Sequence, residues 1–125
     1  MRHMKNRFKL GMETDRRLAL VRNQTAALFM HGYLNTTEPR AKAVQRYAER
    51  LITKAKRGDL SSIRDVAKYL PGLPPLRALL RKVVPAMKDI NSGYTQIAKL
   101  KYRRGDGALV VRLSLRSYPE PEVLG

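Results

Sequence analysis

The sequence predicts an α+β domain in which about four helices pack on one side of a small sheet. Apolar residues recur at helical spacing over the first two thirds of the chain and alternate with polar residues over the last third. Glycine and proline separate the helical segments at intervals that suit short connections. We expect the sheet to contain one short strand and a C-terminal β-hairpin, and an extended basic N-terminal tail to precede the domain.

The first predicted helix follows a tail that covers residues 1–12. Glu13, Thr14 or Asp15 can cap its N-terminus, and Gly32 ends it. Its apolar positions share one face and are Leu18, Val21, Thr25, Leu28 and Phe29. A short β-prone stretch at 33–36 follows, and we expect it to form the first strand.

The second predicted helix has the clearest boundaries. Thr37 is a suitable N-cap, Glu38 complements the positive end of the helix dipole, and Pro39 fits the first turn. Gly58 ends the helix. Its apolar residues form one stripe over four turns: Ala41, Val44, Ala48, Leu51, Ile52 and Ala55. We therefore expect this helix to pack against the core along its length.

Two shorter helices are predicted next. Asp59 or Ser61 can cap the third helix, whose inward residues are Ile63, Val66, Ala67 and Leu70. The PGLPP stretch at 71–75 is predicted to be a loop, and Pro75 to open the fourth helix. The inward residues of this helix are Leu76, Leu79, Leu80 and Val83. Pro85 should end or kink it near Val84, because proline lacks an N–H group and its ring clashes with the preceding turn.

The alternating pattern at the C-terminal end predicts a hairpin. Residues 94–102 form its first strand, and residues 103–107, RRGDG, have the composition of a hairpin turn. In the second strand Leu109, Val111, Leu113 and Leu115 alternate with Val110, Arg112, Ser114 and Arg116, which predicts a half-buried strand with one basic face. We expect one domain over 13–118 and a flexible end at 119–125.

Charge limits the choice of partner more than any other property. The 125 residues contain 26 lysines and arginines against 10 acids, a formal net charge of +16. Such a balance favours a dense polyanion, either nucleic acid or an anionic membrane surface. No run reaches the roughly 18 apolar residues of a membrane span, so we expect no membrane partner. Cysteine is absent, which suits a reducing cytoplasm and excludes thiolate chemistry.

The sequence offers little for catalysis. His3 lies in the tail, His31 lies at a helix end, and the acids are scattered over caps and turns. No acid pair has a spacing that suits acid–base or two-metal chemistry, and no phosphate-binding loop is present. The tripeptide at 104–106, RGD, belongs to the predicted hairpin turn. We therefore expect no catalytic residue, no metal, no cofactor and no small-molecule substrate.

One stretch has the pattern of a known family. Residues 34–56 resemble the signature of the bacterial large-subunit ribosomal protein family numbered seventeen; they read LNTTEPRAKAVQRYAERLITKAK. Other segments agree with that family in order and spacing, namely residues 1–3, 10–11, 22–23, 93–95 and 103–107. The sequence departs from the family at Met12 and Gln96, where arginine is common.

The resemblance implies a structural, non-enzymatic role in the cytoplasmic ribosome. Members of that family bind large-subunit ribosomal RNA near the outlet of the polypeptide exit tunnel, beside neighbouring large-subunit ribosomal proteins. The resemblance also explains the basic tail, because the tail can pack on RNA and lose its conformational entropy only when it binds. Recognition of folded RNA relies mostly on shape and backbone, so we expect no short consensus target.

Four groups of residues are the candidate RNA contacts. In the tail they are Arg2, His3, Lys5, Arg7 and Lys9; on the first helix Arg16, Arg17, Arg22 and Asn23; at the start of the second helix Thr36, Thr37, Arg40 and Lys42; and at the hairpin Tyr94, Arg103 and Arg104. A helix N-terminus suits a phosphate, and Tyr94 could stack on a nucleotide. The cations at other helix ends, Lys54, Lys56, Arg57, Lys82 and Lys88, are expected to be solvated.

Three other classes share parts of this pattern. A free-standing DNA-binding protein would have similar charge, and two helices joined at Gly58 and Asp59 loosely resemble a helix-turn-helix, so composition alone leaves this class open. A small nuclease would need a cluster of acids that the sequence lacks. A membrane-active cationic protein would need one continuous amphipathic helix, which four separately capped helices do not suggest.

Overall fold

The computed structural model describes residues 14–119, and the predicted tail and the end beyond residue 119 lie outside this range. The elements follow one another as α1 Thr14–His31, β1 Tyr33–Thr37, α2 Glu38–Ala55, α3 Leu60–Ala67, α4 Leu73–Ala78, a π-helical turn Leu79–Val83, α5 Val84–Ala86, β2 Thr95–Tyr102 and β3 Leu109–Leu115. The segments from α4 to α5 continue one another as a single irregular fourth helix. The predicted α+β class is confirmed.

The sheet places the last strand in its centre. Its strand order is β1–β3–β2, and both pairings are antiparallel. Leu34 pairs with Leu113, and Ile97 pairs with the same residue from the other side. A bulge between Lys99 and Lys101 shifts the register of β2 near the hairpin turn. The strand that follows α1 is thus joined to a strand about 75 residues away in sequence.

The core lies between one face of the sheet and the helices. Its largest fully buried side chains come from several elements and include Phe29, Ile52, Leu79, Met87 and Leu113. All six apolar positions predicted for the second helix are buried in α2, together with Ala43. Burying a side chain of leucine size contributes about 1.5–3 kcal/mol, so this shared core is the main source of stability.

Two expectations about local structure are wrong. Leu18 is 45% exposed, because the first turns of α1 extend beyond the core that buries Leu28 and Phe29. Residues 71–75 are not all loop: α4 begins at Leu73, with Gly72 at its N-cap position. Prolines fit there because the first-turn N–H groups have no helical partner.

The fourth helix widens rather than ending before Pro85. Residues 79–83 form a π-helical turn, in which the N–H of Val84 bonds to the carbonyl of Leu79. Pro85 lacks an N–H group and its ring crowds the carbonyl four residues earlier, so a wider turn at this place relieves the clash. The helix then continues to Ala86.

Gly32 joins α1 to β1 in a tightly enclosed position. Its φ angle is +87°, and a Cβ atom built there would lie 2.8 Å from Cδ2 of Tyr118. The Tyr118 hydroxyl donates to the carbonyl oxygens of Phe29 and Met30, both at 2.7 Å. Tyr118 thus closes the C-terminal end of α1, and a side chain at residue 32 would displace it.

We predict that Gly32→Ala lowers the free energy of unfolding by about 3 kcal/mol, since left-handed strain adds to the displacement of Tyr118. Gly58→Ala is the matched control: Gly58 has φ +76° but nothing within 4 Å of a built Cβ. It should lose only about 1 kcal/mol from backbone strain. Urea denaturation followed by circular dichroism measures both, and equal losses would show that the Tyr118 contact is unimportant.

A candidate nucleic-acid interface

The sheet register brings two of the predicted groups to one end of the molecule. Thr37, the last residue of β1, pairs with Val110, and Lys101 pairs with Val110 from the other side. Strands lie about 4.8 Å apart, so Thr37 and Lys101 are about 10 Å from each other. The start of α2 and the hairpin turn therefore share this end. We call it the hairpin end; it contains Thr37, Arg40, Lys42, Lys101, Arg103 and Arg104.

The N-terminal half of α1 points toward the same end. The side-chain amide of Gln24 donates to the Thr36 hydroxyl at 3.3 Å, so the middle of α1 lies beside the end of β1. Arg17 is seven residues earlier, about 10 Å further along the helix axis and past the strand end. Arg16 is exposed and Arg17 is partly exposed. Both therefore extend the cationic surface of the hairpin end.

Arg22 faces the protein rather than open solvent. It is partly buried, and its Nε atom has no hydrogen-bond partner. Burial raises the pKa of Tyr47, and the nearby Arg22 guanidinium opposes that rise. The Tyr47 hydroxyl donates to the Tyr69 carbonyl at 2.8 Å. Arg22 thus links α1 to α2, whereas Asn23 beside it is exposed.

Some polar side chains at the start of α2 make no strong contact within the described part of the protein. Thr36 is buried and its hydroxyl is engaged by Gln24. Thr37 occupies the N-cap position, but its side chain makes no capping hydrogen bond. Lys42 lies 4.0 Å from Glu38 in an exposed i,i+4 pair, which contributes little to stability. Arg40 is partly exposed and forms no ion pair with any residue that the structure describes.

The two arginines of the hairpin turn differ in their contacts. Asp106 accepts from Nε of Arg103 at 3.1 Å and from its Nη2, and it also accepts from the N–H of Ala108 at 3.1 Å. These bonds lower the pKa of Asp106 to about 2. Arg103 therefore holds the shape of the turn. Arg104 is exposed and has no carboxylate partner in the described part of the chain.

The stacking role predicted for Tyr94 is wrong. Its ring is 3% exposed and belongs to the core, so no nucleotide can reach either face. Its hydroxyl donates to the Asn91 carbonyl at 2.9 Å. The Lys56 ammonium lies 5.1 Å from the ring centroid and donates to the Ile90 carbonyl. Lys56 is thus a structural contact and not the solvated cation that was expected.

Lys54 likewise has a partner. Its ammonium bonds to Asp65 at 2.5 Å and lies 5.6 Å from the centroid of Tyr69. The pair lines a shallow groove of about 610 Å³ between α2 and α3, together with Arg57, Arg64 and Lys68. Because the Asp65 carboxylate is among its lining groups, this groove is less suited to a phosphate than the hairpin end.

Several surface groups were missed as candidates. Lys99 and Lys101 lie on exposed positions of β2, and Arg112 and Arg116 lie on the outward side of β3. Tyr33 is exposed beside Arg112. The alternation in the last strand had indicated its basic face. No local pattern indicated which residues from β1 and β2 would stand beside it.

The described residues contain no cluster suited to metal binding. Among residues 14–119, no group of three or more histidine, cysteine, aspartate or glutamate side chains could hold an ion. No helix in that same range is long and apolar enough to cross a membrane. Fold and surface together define a small, basic α+β domain with a cationic surface at the hairpin end.

Comparison with known proteins gives the family. The sequence matches the family described as "Ribosomal protein L17" over residues 20–116. The large ribosomal subunit protein bL17 of Finegoldia magna is 42% identical over 119 residues, which cover 95% of this chain and 91% of the relative. The protein of the same name from Clostridium beijerinckii is 45% identical over 107 residues, which cover 86% of this chain and 95% of the relative.

This chain belongs to the ribosomal protein L17 family, as residues 34–56 predicted. It is therefore a structural, non-enzymatic component of the large ribosomal subunit, and it acts in the cytoplasmic ribosome. The family match covers α2, all three strands and most of α1. The hairpin end thus lies within the part of the chain that defines the family, whereas Arg16 and Arg17 precede that part.

We predict that acid lowers the stability of the domain partly through Asp65. Its hydrogen bond to Lys54 lowers the pKa of the carboxyl below the ordinary 3.8. The ionised form is therefore stabilised by folding above about pH 3.8, and this stabilisation is lost as the pH falls through the lower folded pKa. The melting temperature of Asp65→Asn should depend less steeply on pH below about 4 than that of the unaltered protein.

Asp89→Asn is the control for this measurement, because Asp89 is exposed and forms no ion pair in the described part of the chain. It should leave the acid dependence of the melting temperature unchanged. Identical pH profiles for Asp65→Asn and the unaltered protein would show that the Lys54–Asp65 pair does not contribute.

Proposed function

We propose that this chain binds large-subunit ribosomal RNA through the hairpin end and the N-terminal tail. The supporting observation is the convergence of Arg16, Arg40, Lys101 and Arg104 at one end of the sheet, where no carboxylate of residues 14–119 pairs with any of them. Unpaired cations concentrated at one place repel each other, and a polyanion relieves that repulsion.

The start of α2 offers the most specific phosphate contact. Cations near a helix N-terminus oppose the helix dipole, at a typical cost of about 0.3–1 kcal/mol each. Arg40 and Lys42 occupy such positions. A phosphate placed between them and the free N–H groups of the first turn would reverse that cost. The uncommitted hydroxyl of Thr37 can donate to the same phosphate.

The hairpin turn would contact a second part of the RNA backbone. Arg104 is exposed at its tip, and Lys101 stands on the adjoining strand. Arg103 keeps the turn in shape through Asp106, and its remaining N–H groups can still donate to a phosphate. Arg16 and Arg17 border this surface on the side of α1.

The basic tail directly precedes this surface in the sequence. It joins α1 next to Arg16 and Arg17, and its candidate contacts are Arg2, His3, Lys5, Arg7 and Lys9. About eleven extended residues reach at most roughly 36 Å, far enough to pass between RNA helices. We place the protein near the outlet of the polypeptide exit tunnel, beside neighbouring large-subunit ribosomal proteins, as the family resemblance implies.

We predict that binding of the whole chain to large-subunit ribosomal RNA is strongly salt-dependent. With six to ten phosphate contacts, affinity should fall roughly 10³- to 10⁵-fold between 50 and 200 mM salt. Arg104→Ala and Arg40→Ala should each remove one phosphate contact and so reduce the slope of log affinity against log salt by about 1. Filter binding with labelled RNA measures the slope.

Arg77→Ala is the matched control, because Arg77 is exposed and lies beside Met30, at the opposite end of α1. It should leave the slope unchanged. Duplex DNA serves as competitor in the same assay. A slope near zero, or DNA that competes as well as ribosomal RNA, would contradict the proposal and favour a DNA-binding protein instead.

We predict that removing residues 1–9 leaves the melting temperature nearly unchanged and reduces incorporation into large subunits. The tail is too polar to contribute to the core, so its contribution should be to binding. Sucrose-gradient sedimentation of cells that express the shortened chain measures incorporation. Removal of residues 120–125 is the control and should change neither the melting temperature nor incorporation. A large drop in melting temperature after removal of residues 1–9 would show that the tail belongs to the fold.

A further inference from the structure

One face of the sheet is left uncovered by the helices. The helices pack on the side of Val111, Leu113 and Leu115, so the alternate residues point away from them. We call this other side the open face, and its strand residues are Tyr33, Asn35, Gln96, Ala98, Arg112 and Ser114. None of them is fully buried, and none is acidic.

Tyr33, Asn35 and Arg112 form an ordered group at the centre of the open face. The Arg112 guanidinium carbon lies 4.7 Å from the centroid of the Tyr33 ring. Its Nε atom donates to Oδ1 of Asn35 at 2.9 Å. The guanidinium is thus held in place by a ring and an amide rather than by a carboxylate. Tyr33 nevertheless remains 48% exposed.

The charge around this group has one sign. Arg116 follows on the same side of β3, and Lys101 pairs with Val110, two residues or about 7 Å from Arg112 along the strand. A solvated sheet face normally mixes both signs, since opposite charges across strands stabilise each other. Here the exposed groups are an aromatic ring, a planar cation and further cations.

A nucleobase matches this chemistry better than a protein side chain does. Bases stack on aromatic rings and on arginine planes, and their phosphates need cations nearby. Paired bases hide their faces inside a duplex, so the matching ligand is an unpaired nucleotide. The absence of acids from the open face removes the repulsion that a phosphate would otherwise meet.

We propose that the open face is a stacking platform for unpaired RNA nucleotides, in which Tyr33 and Arg112 hold a base while Arg116 and Lys101 contact the adjoining phosphates. This inference rests on the proposed RNA-binding function and adds a second site to it. The hairpin end contacts the backbone of folded RNA, whereas the open face contacts bases. The two sites meet at Lys101.

The test uses the absence of tryptophan from the chain. In the full-length Tyr33→Trp variant the introduced indole is the only tryptophan, and stacking of a base on it should quench its fluorescence. The probes are an oligoadenylate of about twelve nucleotides and an abasic strand of the same length. We expect quenching by the oligoadenylate alone, and about tenfold tighter binding of it than of the abasic strand.

Three variants separate stacking from other effects. Tyr33→Phe keeps the ring and should bind the oligoadenylate as the unaltered protein does, because the Tyr33 hydroxyl makes no hydrogen bond. Tyr33→Leu should bind it about tenfold more weakly with the same salt slope and melting temperature. Tyr69→Trp reports from the helical side, where Tyr69 packs edge-on against Tyr47, and should show no base-dependent quenching.

The outcomes distinguish this inference from the proposed function. Binding of ribosomal RNA with the expected salt slope, but equal affinity for the two strands and no quenching, would overturn the stacking platform and leave the proposed function intact. Loss of the salt-dependent binding itself would overturn both. If the indole emission shifts as the protein concentration is raised without RNA, a second copy of the chain covers the open face. This result would also overturn the inference.

Discussion

The pairing of β1 with β3 is the constraint on which the rest of the structure depends. It joins the strand after α1 to the last strand, so one sheet spans nearly the whole described chain. Main-chain hydrogen bonds set the register, and the register places the start of α2 beside the hairpin turn. A slip of one residue would turn Leu34 outward and Asn35 inward, which the core could not accommodate.

Several acids among the described residues act within the fold. Asp59 caps α3 through the N–H of Ser62, and Asp106 shapes the hairpin turn. Glu49 on α2 accepts from the N–H and hydroxyl of Thr95 at 3.2 and 2.7 Å, which attaches the second helix to β2. Since these carboxylates are used for caps and turns, most surface cations stay available for an external polyanion. The formal net charge of +16 is therefore carried largely by cations on the surface.

Sequence reasoning located the elements well and the roles of single side chains less well. The stripe of α2 and the alternation of β3 follow from local periodicity, and the structure confirms both. Of the two residues predicted as possible caps of the third helix, Asp59 and Ser61, the structure has Asp59 at the cap. Tyr94 and Lys56 could not be placed in this way, because their environment comes from segments far away in sequence. Residues 34–56 predicted the family correctly, since that motif is contiguous and needs no tertiary contact to be recognised.

The sequence by itself determined the fold class, the excess of cations and the family, because each depends on composition, on local spacing or on one continuous motif. Only the tertiary structure decided which cations are available. It pairs Lys54 with Asp65, and within residues 14–119 it leaves Arg40 and Arg104 without an acid partner. It also brought Tyr33 beneath Arg112, which lies 79 residues further along the chain. Such pairs depend on strand register, and register is settled by burial of the opposite face rather than by the residues that form the pair.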